Sequence, residues 1–341
     1  MKYEYEVLKL GNADAIFIRH YVNDLPYVVL IDAGNISDWA KIKDHLAEYY
    51  KTSTIDLAIC THPDTDHMGG FFCLLEDENI TISEFWLIDP SEYLDENDIK
   101  YYRTKDSAKN AVRKIFNHPT NSSQNLIKMI EEKLSNREMQ IAYSVIKGHS
   151  HNILPIKVVA PTEDYYGEVV KNMVEDYGCA KVYEEADTTA YDEAEQVSVD
   201  TAKSSIDTCD DDNSPYNQSS IVLLYEPEYG KKILFTGDAS CASLLQMTED
   251  YPEINKIELL KVPHHGSKHN LSSAIIDILQ PKTSYISAKG TRKHPSSAIV
   301  NYLSKYGDVF STHKHIGFIR RNKGIERPNT TPITPLKAKQ K

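Results

Sequence analysis

Apolar and polar positions alternate from the first residues of the chain, and the period changes further along. Residues 3–9, 14–19 and 26–31 carry the two-residue period of strands, with turn residues Gly11-Asn12 and Asn23-Asp24 between them. A helix is predicted from about Trp39 to Tyr50. A strand over 55–60, a short helix near 69–75 and a strand at Phe85-Trp86-Leu87-Ile88 follow. Residues 95–139 read mainly as helix, with a break at His118-Pro119-Thr120-Asn121. Residues 220–225 and 232–236 form a predicted hairpin closed through Glu228-Tyr229-Gly230. After it, strands at 257–262, 283–287, 309–311 and 315–320 alternate with helices at 271–279 and 296–304. Strand runs at both ends, with helices between and after them, predict an α/β architecture of two packed sheets covered by helices.

Length and composition narrow this picture. A chain of 341 residues holds one large domain or two smaller ones. No apolar run approaches the roughly 18–20 residues needed to cross a bilayer. Five scattered cysteines, odd in number and without CxxC spacing, argue for reduced thiols in a cytoplasmic protein. The net charge of −12 is unevenly spread: residues 162–214 hold 16 Asp/Glu against 3 Lys/Arg, and the remainder is close to neutral. From Leu260 to Lys341 there are 15 Lys/Arg and 3 Asp/Glu, a basic quarter suited to a polyanionic partner or, equally, to a solvated lysine-rich face. The acidic stretch is poor in large apolar side chains apart from its tyrosines, and reads as a mobile insertion.

The chemistry concentrates at strand ends. His62-Pro63-Asp64-Thr65-Asp66-His67 packs two imidazoles and two carboxylates into the loop that leaves the 55–60 strand. Nitrogen and oxygen donors this close suit one or two divalent metals. The bland reading is a polar loop in which Thr65 or Asp66 caps a helix. Three further strands end in ligand-type residues: Leu30-Ile31-Asp32-Ala33-Gly34, Phe235-Thr236-Gly237-Asp238, and Leu260-Lys261-Val262-Pro263-His264-His265-Gly266-Ser267. One such Asp is more often a turn or helix cap; four ligand-bearing strand ends are hard to explain that way.

The order of these motifs resembles the metallo-β-lactamase fold, in the version carried by the DNA-processing domain of ComEC competence proteins. The matching residues are Gly11-Asn12-Ala13-Asp14, the turn at Asp32, the HxDxDH loop and Asn217-Gln218-Ser219-Ser220. The turn at Asp238, KVxHHGS at Lys261 to Ser267, and Ser287 with His294-Pro295 complete the series. The resemblance implies an αββα sandwich over residues 1–327, with a helical insertion at about 90–140, the acidic insertion at about 162–214, and a flexible tail at 328–341. Asp64 stands where the wider superfamily has a histidine. The superfamily's additional ligand histidine is not evident, and His149 and His151 read as surface residues.

By residue-wise carry-over, His62 and Asp64 hold one divalent ion. Asp66, His67 and one of His264 and His265 hold a second, and Asp238 bridges them. The implied nucleophile is a hydroxide held by this dinuclear site. Asp32 is expected to orient the loop, and His294 to stabilise an oxyanion or protonate the leaving group. Asn217, Ser267 and Lys268 are expected at the substrate. The carboxylate-rich set suits Mn²⁺ as well as Zn²⁺. The expected activity is a metal-dependent phosphodiesterase or nuclease with nucleic acid as substrate and no membrane association. The alternatives are hydrolysis of a small phosphodiester, such as a cyclic nucleotide or a phosphocholine-type ester, and a non-catalytic regulatory protein on the same fold. Lys261, Lys268, Lys289, Arg292 and Lys293 would rim the metal loop if a polyanion binds there. Nothing in the sequence sets the oligomeric state or names a protein partner.

Overall fold

The N-terminal alternation builds a meander. In the computed structural model, which describes residues 1–94, 104–135, 139–176, 198–291, 293–327 and 332–336, β1 (Tyr3–Leu8), β2 (Ile16–Val22) and β3 (Leu25–Ile31) pair antiparallel in succession. β4 (Thr54–Ile59) and β5 (Thr81–Trp86) then add parallel to β3, through the helices Trp39–His45 and Thr65–Glu76. A small hairpin, β6 (Asn117–His118) and β7 (Asn121–Asn125), lies between the helices Lys105–Val112 and Leu126–Ser135 of the insertion. β8 (Gln140–Ala142) closes one edge of the first sheet. The second sheet begins with β9 (Ile156–Ala160), β10 (Val222–Tyr225) and β11 (Ile233–Phe235), again antiparallel. It continues through the parallel strands β12 (Leu259–Lys261), β13 (Thr283–Ile286) and β14 (Asp308–Ser311). Finally β15 (Phe318–Lys323) returns to the first sheet beside β1.

Three apolar layers follow from the pleat. Tyr5, Ile18, Val29, Leu57 and Trp86 of the first sheet meet Leu223, Phe235, Leu259 and Tyr285 of the second. The alternate residues Phe17, Leu30, Ala58 and Phe85 face outward, under Ile42, Phe71, Phe72 and Ile130 of the helices. Leu234, Leu260 and Val309 do the same on the far side, beneath Leu244, Ile276 and Ile299. Central strands buried on both faces explain why their sequences read as continuous apolar runs. The result is a sandwich of two mixed sheets with helices on both outer faces, the αββα layering expected from the sequence. Among the described residues, no helix is long and apolar enough to cross a membrane.

Where β1 meets β15, the second sequence feature of the first strand, its glutamates, goes inward. Glu4 accepts from Arg19 Nε at 2.6 Å, Arg320 Nε at 2.7 Å and an Arg327 amino group at 2.7 Å. Glu6 meets His45 Nε2 at 2.5 Å and Arg327 at 2.6 Å. Both glutamates are fully buried.

Three expectations change. The helix predicted near 69–75 starts at Thr65, with Asp64 extended at its N-cap position, so Asp66 and His67 lie in its first turn. The apolar period begins only at Met68, which hid the polar first turn. Residues 198–214, counted with the acidic insertion, are tied down: Asp207, ending the helix Val199–Asp207, takes the Ser273 N–H, and in the loop that follows Asp211 takes the Cys241 N–H and Asp212 the Asn217 amide. Residues 177–197 lie outside the described residues. In the expected tail, Leu336 is buried and its N–H bonds to the Val309 carbonyl at 2.7 Å, so residues 332–336 cover the edge strand β14. The rest of 328–341 lies outside the described residues.

Candidate metal centre

The carboxyl ends of the parallel strands in both sheets converge on one place, and each delivers a polar side chain there. Asp32 follows β3 with φ 58°, a left-handed conformation that a non-glycine residue adopts at some cost. That turn aims its carboxylate inward. Oδ1 accepts from the Thr61 N–H at 2.8 Å, and Oδ2 accepts from Thr61 Oγ1 and from His67 Nδ1, both at 2.8 Å. The Thr61 hydroxyl has one proton and gives it to Asp32, so His62 Nδ1, 3.0 Å away, must donate to Thr61. Both rings are thereby held by Nδ1, and both present Nε2 to the same space. The His62 and His67 ring centroids are 4.1 Å apart.

The helix carrying His67 approaches the Asp32 turn closely. A Cβ on Gly70 would stand 2.0 Å from the Ala33 carbonyl oxygen, so glycine is required there. Gly70 N–H bonds to the Gly34 carbonyl, and Ala33 N–H to that of His67. The Asp66 carbonyl accepts from Asp14 N–H at 3.0 Å. Asp14 itself pairs with Lys261 of β12, and both side chains are fully buried. This pair joins the two sheets directly under the site. It also corrects one expectation: Lys261 does not rim the metal loop.

From the second sheet, Asp238 accepts the His264 N–H at 3.1 Å on Oδ1, which also lies 3.3 Å from His67 Nε2. The pair His264-His265 sits on two consecutive left-handed residues, φ 45° and 52°, which point the rings in different directions. His265 commits Nδ1 to the Ser287 carbonyl at 2.9 Å, leaving the Nε2 lone pair 3.0 Å from Asp66 Oδ2. A lone pair facing a carboxylate oxygen at that range needs a cation or a proton between them. His264 instead turns Nδ1 to Asp212 Oδ2 at 3.0 Å. Of the two, His265 is the one beside Asp66 and His67.

Ligand-type atoms of His62, His67 and Asp238 lie within 4.8 Å of one another, and so do those of Asp66, His67 and His265. Asp64 Oδ2 is 3.9 Å from His62 Nε2, at the outer margin. His62 Nε2 and His67 Nε2 are both buried without a hydrogen-bond partner. Buried nitrogens are rarely left so, and these two face carboxylates, so the residues fit a divalent cation. The local field agrees. Burial pushes His62 down to about 3, neutral with its lone pair available. Burial also opposes charge on His67, but Asp238, Asp32 and Asp66 outweigh it and hold that imidazole well above its ordinary value. The position therefore demands positive charge, and a metal would displace that proton.

The remaining expected residues sit around this centre. Asn217 is buried and donates to Asp212 at 2.7 Å. Asp212 also accepts from Asn270 at 3.0 Å. Burial raises its pKa, yet His264 and the two amides bring it down to about 2. His294 stacks on His264 with centroids 5.6 Å apart and stands 6.2 Å from His265. With Ser267, Lys268 and Lys293 it lines a cavity of about 320 Å³. Lys289 lies on the loop whose N–H bonds to Asn12, and Arg292 lies outside the described residues. His149 and His151, expected at the surface, pack instead against Trp86, with centroids 4.5 and 5.9 Å from its ring. His151 Nδ1 accepts two loop N–H groups there, a structural task. Sequence reasoning missed Asp212, Asn270 and Thr61. Asp212 was concealed in an acidic run that reads as solvated, whereas Asp14 and Lys261 already stood inside the recognised motifs.

No family model matches the chain. Over 97 residues, 28% of its length, it is 35% identical to ComE operon protein 3 of Bacillus subtilis, and the match spans 12% of that relative. The chain resembles ComE operon protein 3. Among solved structures, similarity extends to Igni18, described as a metallo hydrolase from Ignicoccus hospitalis. The TM-score is 0.45 and the identity 11%, over 93% of this chain and 98% of the other. It extends also to YhfI of Bacillus subtilis, a metallo-β-lactamase fold protein, with a TM-score of 0.45 and 9% identity over 95% and 100% of the two chains.

Proposed function

We propose that the protein is a metal-dependent hydrolase that cleaves phosphodiester bonds, with nucleic acid as its substrate class. The observation that carries this reading is the pair of buried, unpartnered nitrogens, His62 Nε2 and His67 Nε2, facing Asp238 and the Asp66–His265 pair. His62 and Asp64 would hold one ion. Asp66, His67 and His265 would hold a second, with Asp238 between the two sets. Zn²⁺ and Mn²⁺ both fit a set this rich in carboxylate. Divalent ions so held lower the pKa of a bound water and offset the charge of an attacked phosphoryl group.

The chain's own residues do the rest. Asp32 and Thr61 fix the tautomer and angle of both imidazoles. Asp212 fixes His264 against Asp238 and, through it, the ring of His294. His294, beside the centre and lining the cavity, is placed to hydrogen-bond a non-bridging or leaving oxygen. Lys268 and Lys293 supply positive charge for a polyanion.

The test is hydrolysis by Mn²⁺- or Zn²⁺-loaded protein of single- and double-stranded DNA, RNA and bis-p-nitrophenyl phosphate, beside Asp66→Ala and Asp238→Ala. Loss of cleavage in both variants is expected. Absence of phosphodiester cleavage by the wild type, or equal cleavage by the variants, overturns the reading.

A further inference from the structure

The cavity next to the metal centre has one wall that belongs to the acidic segment. Thr201 and Ser205 of the helix Val199–Asp207 face it from one side. Ser267, Lys268, Lys293 and His294 close it on the side of the centre. Its volume, about 320 Å³, is at the small end of ligand sites and suits a single nucleotide-sized group.

Charge decides what that group is. The nearby segment is acidic in sequence, but three of its described carboxylates are bonded away from the cavity. Asp207 takes Lys203 and the N–H and hydroxyl of Ser273. Asp211 caps the N–H groups of Cys241 and Ala242. Asp212 holds His264, Asn217 and Asn270. The cavity's own lining carries no carboxylate among the described residues: it consists of the exposed Lys268 and Lys293, His294 and several hydroxyls, which suits an anion. The cavity is also contiguous with the centre: His294, on its wall, stands 6.2 Å ring to ring from His265.

We propose that this cavity is a second phosphate subsite, seating the phosphate of the nucleotide next to the one cleaved. It rests on the phosphodiesterase reading and deepens it. The helix Val199–Asp207 would make the protein prefer a strand over an isolated diester.

The test separates binding from cleavage. A fluorescein-labelled single-stranded DNA pentamer is titrated in EDTA and followed by anisotropy, with wild type, Lys268→Ala/Lys293→Ala, Ser205→Glu, and the remote control Lys128→Ala. The double variant and Ser205→Glu are expected to bind on the order of tenfold more weakly than wild type. The double variant should also show a salt slope about 1.4 shallower, for two lost contacts at roughly 0.7 each on a single strand. Thermal melts confirm that each variant is folded. Affinity within twofold of wild type in both cavity variants, an equal loss in Lys128→Ala, or no binding by wild type overturns the subsite. Weakened binding while the metal-loaded wild type cleaves nothing would leave the subsite standing and remove the phosphodiesterase reading. Cleavage of the pentamer by the double variant with unchanged KM would do the reverse.

Discussion

Two buried clusters of charged side chains lie in the same sandwich, and they differ in what they leave undone. Around Glu4 and Glu6, two carboxylates meet three guanidinium groups and an imidazole, and each carboxylate oxygen has a guanidinium or imidazole neighbour. Around Asp66 and Asp238, the carboxylates meet imidazoles alone, while the one buried lysine beneath them is taken by Asp14. In the first cluster guanidinium groups outnumber carboxylates, three to two. The second is short of positive charge and leaves two nitrogens without partners. Burial is similar in the two, so burial does not mark a ligand site. Buried carboxylates short of resident positive charge do.

This contrast can be broken in four ways, taken from the largest expected effect to the smallest. Glu4→Ala strands Arg19, Arg320 and Arg327 in a buried setting and should destabilise the protein by about 3–5 kcal/mol in urea unfolding. The metal content per folded molecule should stay as in wild type. A loss below about 1 kcal/mol, the scale of a surface pair, would show the cluster to be ornamental. Addition of Zn²⁺ or Mn²⁺ to chelator-treated protein should stabilise it by about 2.7 kcal/mol at a hundredfold excess over Kd. Calorimetry should find the same gain in Glu4→Gln and none in Asp238→Ala; an equal gain in Asp238→Ala would place the ion elsewhere. Asp32→Asn keeps the shape of the turn but weakens its hold on His67, so metal affinity or hydrolysis should fall by about 10–100-fold. Unchanged metal binding in that variant would mean that Asp32 is only a turn residue.

The smallest effect concerns acid. Burial alone pushes the Glu4 carboxyl up, but Arg327, Arg19 and Arg320 more than reverse it and hold it below its ordinary value of 4.5. A carboxyl depressed in the folded state stabilises it above the unfolded pKa, and that contribution fades as pH falls through the folded value. Stability should therefore decline below about pH 4.5, and Glu4→Gln should flatten that limb of the curve. An identical acid limb in both proteins would remove Glu4 from the account.

The sequence made the strand ends legible because a buried strand and the polar residue after it contrast sharply. Asp32, His62, Asp66, His67, Asp238 and His265 stand out in this way, and the fold brings them together. What stayed hidden depends on direction. The start of the helix at Thr65 is masked by ligands that replace apolar residues in its first turn. His264 and His265 are equivalent in sequence, and only two successive left-handed residues separate their roles. Asp212 looks in sequence like its exposed neighbours Asp210 and Asp211, and its place in the site depends on Asn217, His264 and Asn270 arriving from other segments. Lys261 looks like a surface cation until Asp14, 247 residues away, is seen beside it.

That long separation has a consequence for how the protein comes into being. Asp66 and His265 are 199 residues apart, and the Asp14–Lys261 pair spans more still. Contacts this distant close late, after local helices and hairpins have formed. A chain emerging from the ribosome has exposed His62, Asp64, Asp66 and His67 long before Asp238 and His265 exist to complete the set. Through that interval the first sheet carries loose metal-binding groups without the partners that would select an ion. If those groups hold ions as proposed, loading would wait for the second sheet to dock, and maturation would be a matter of timing as much as affinity.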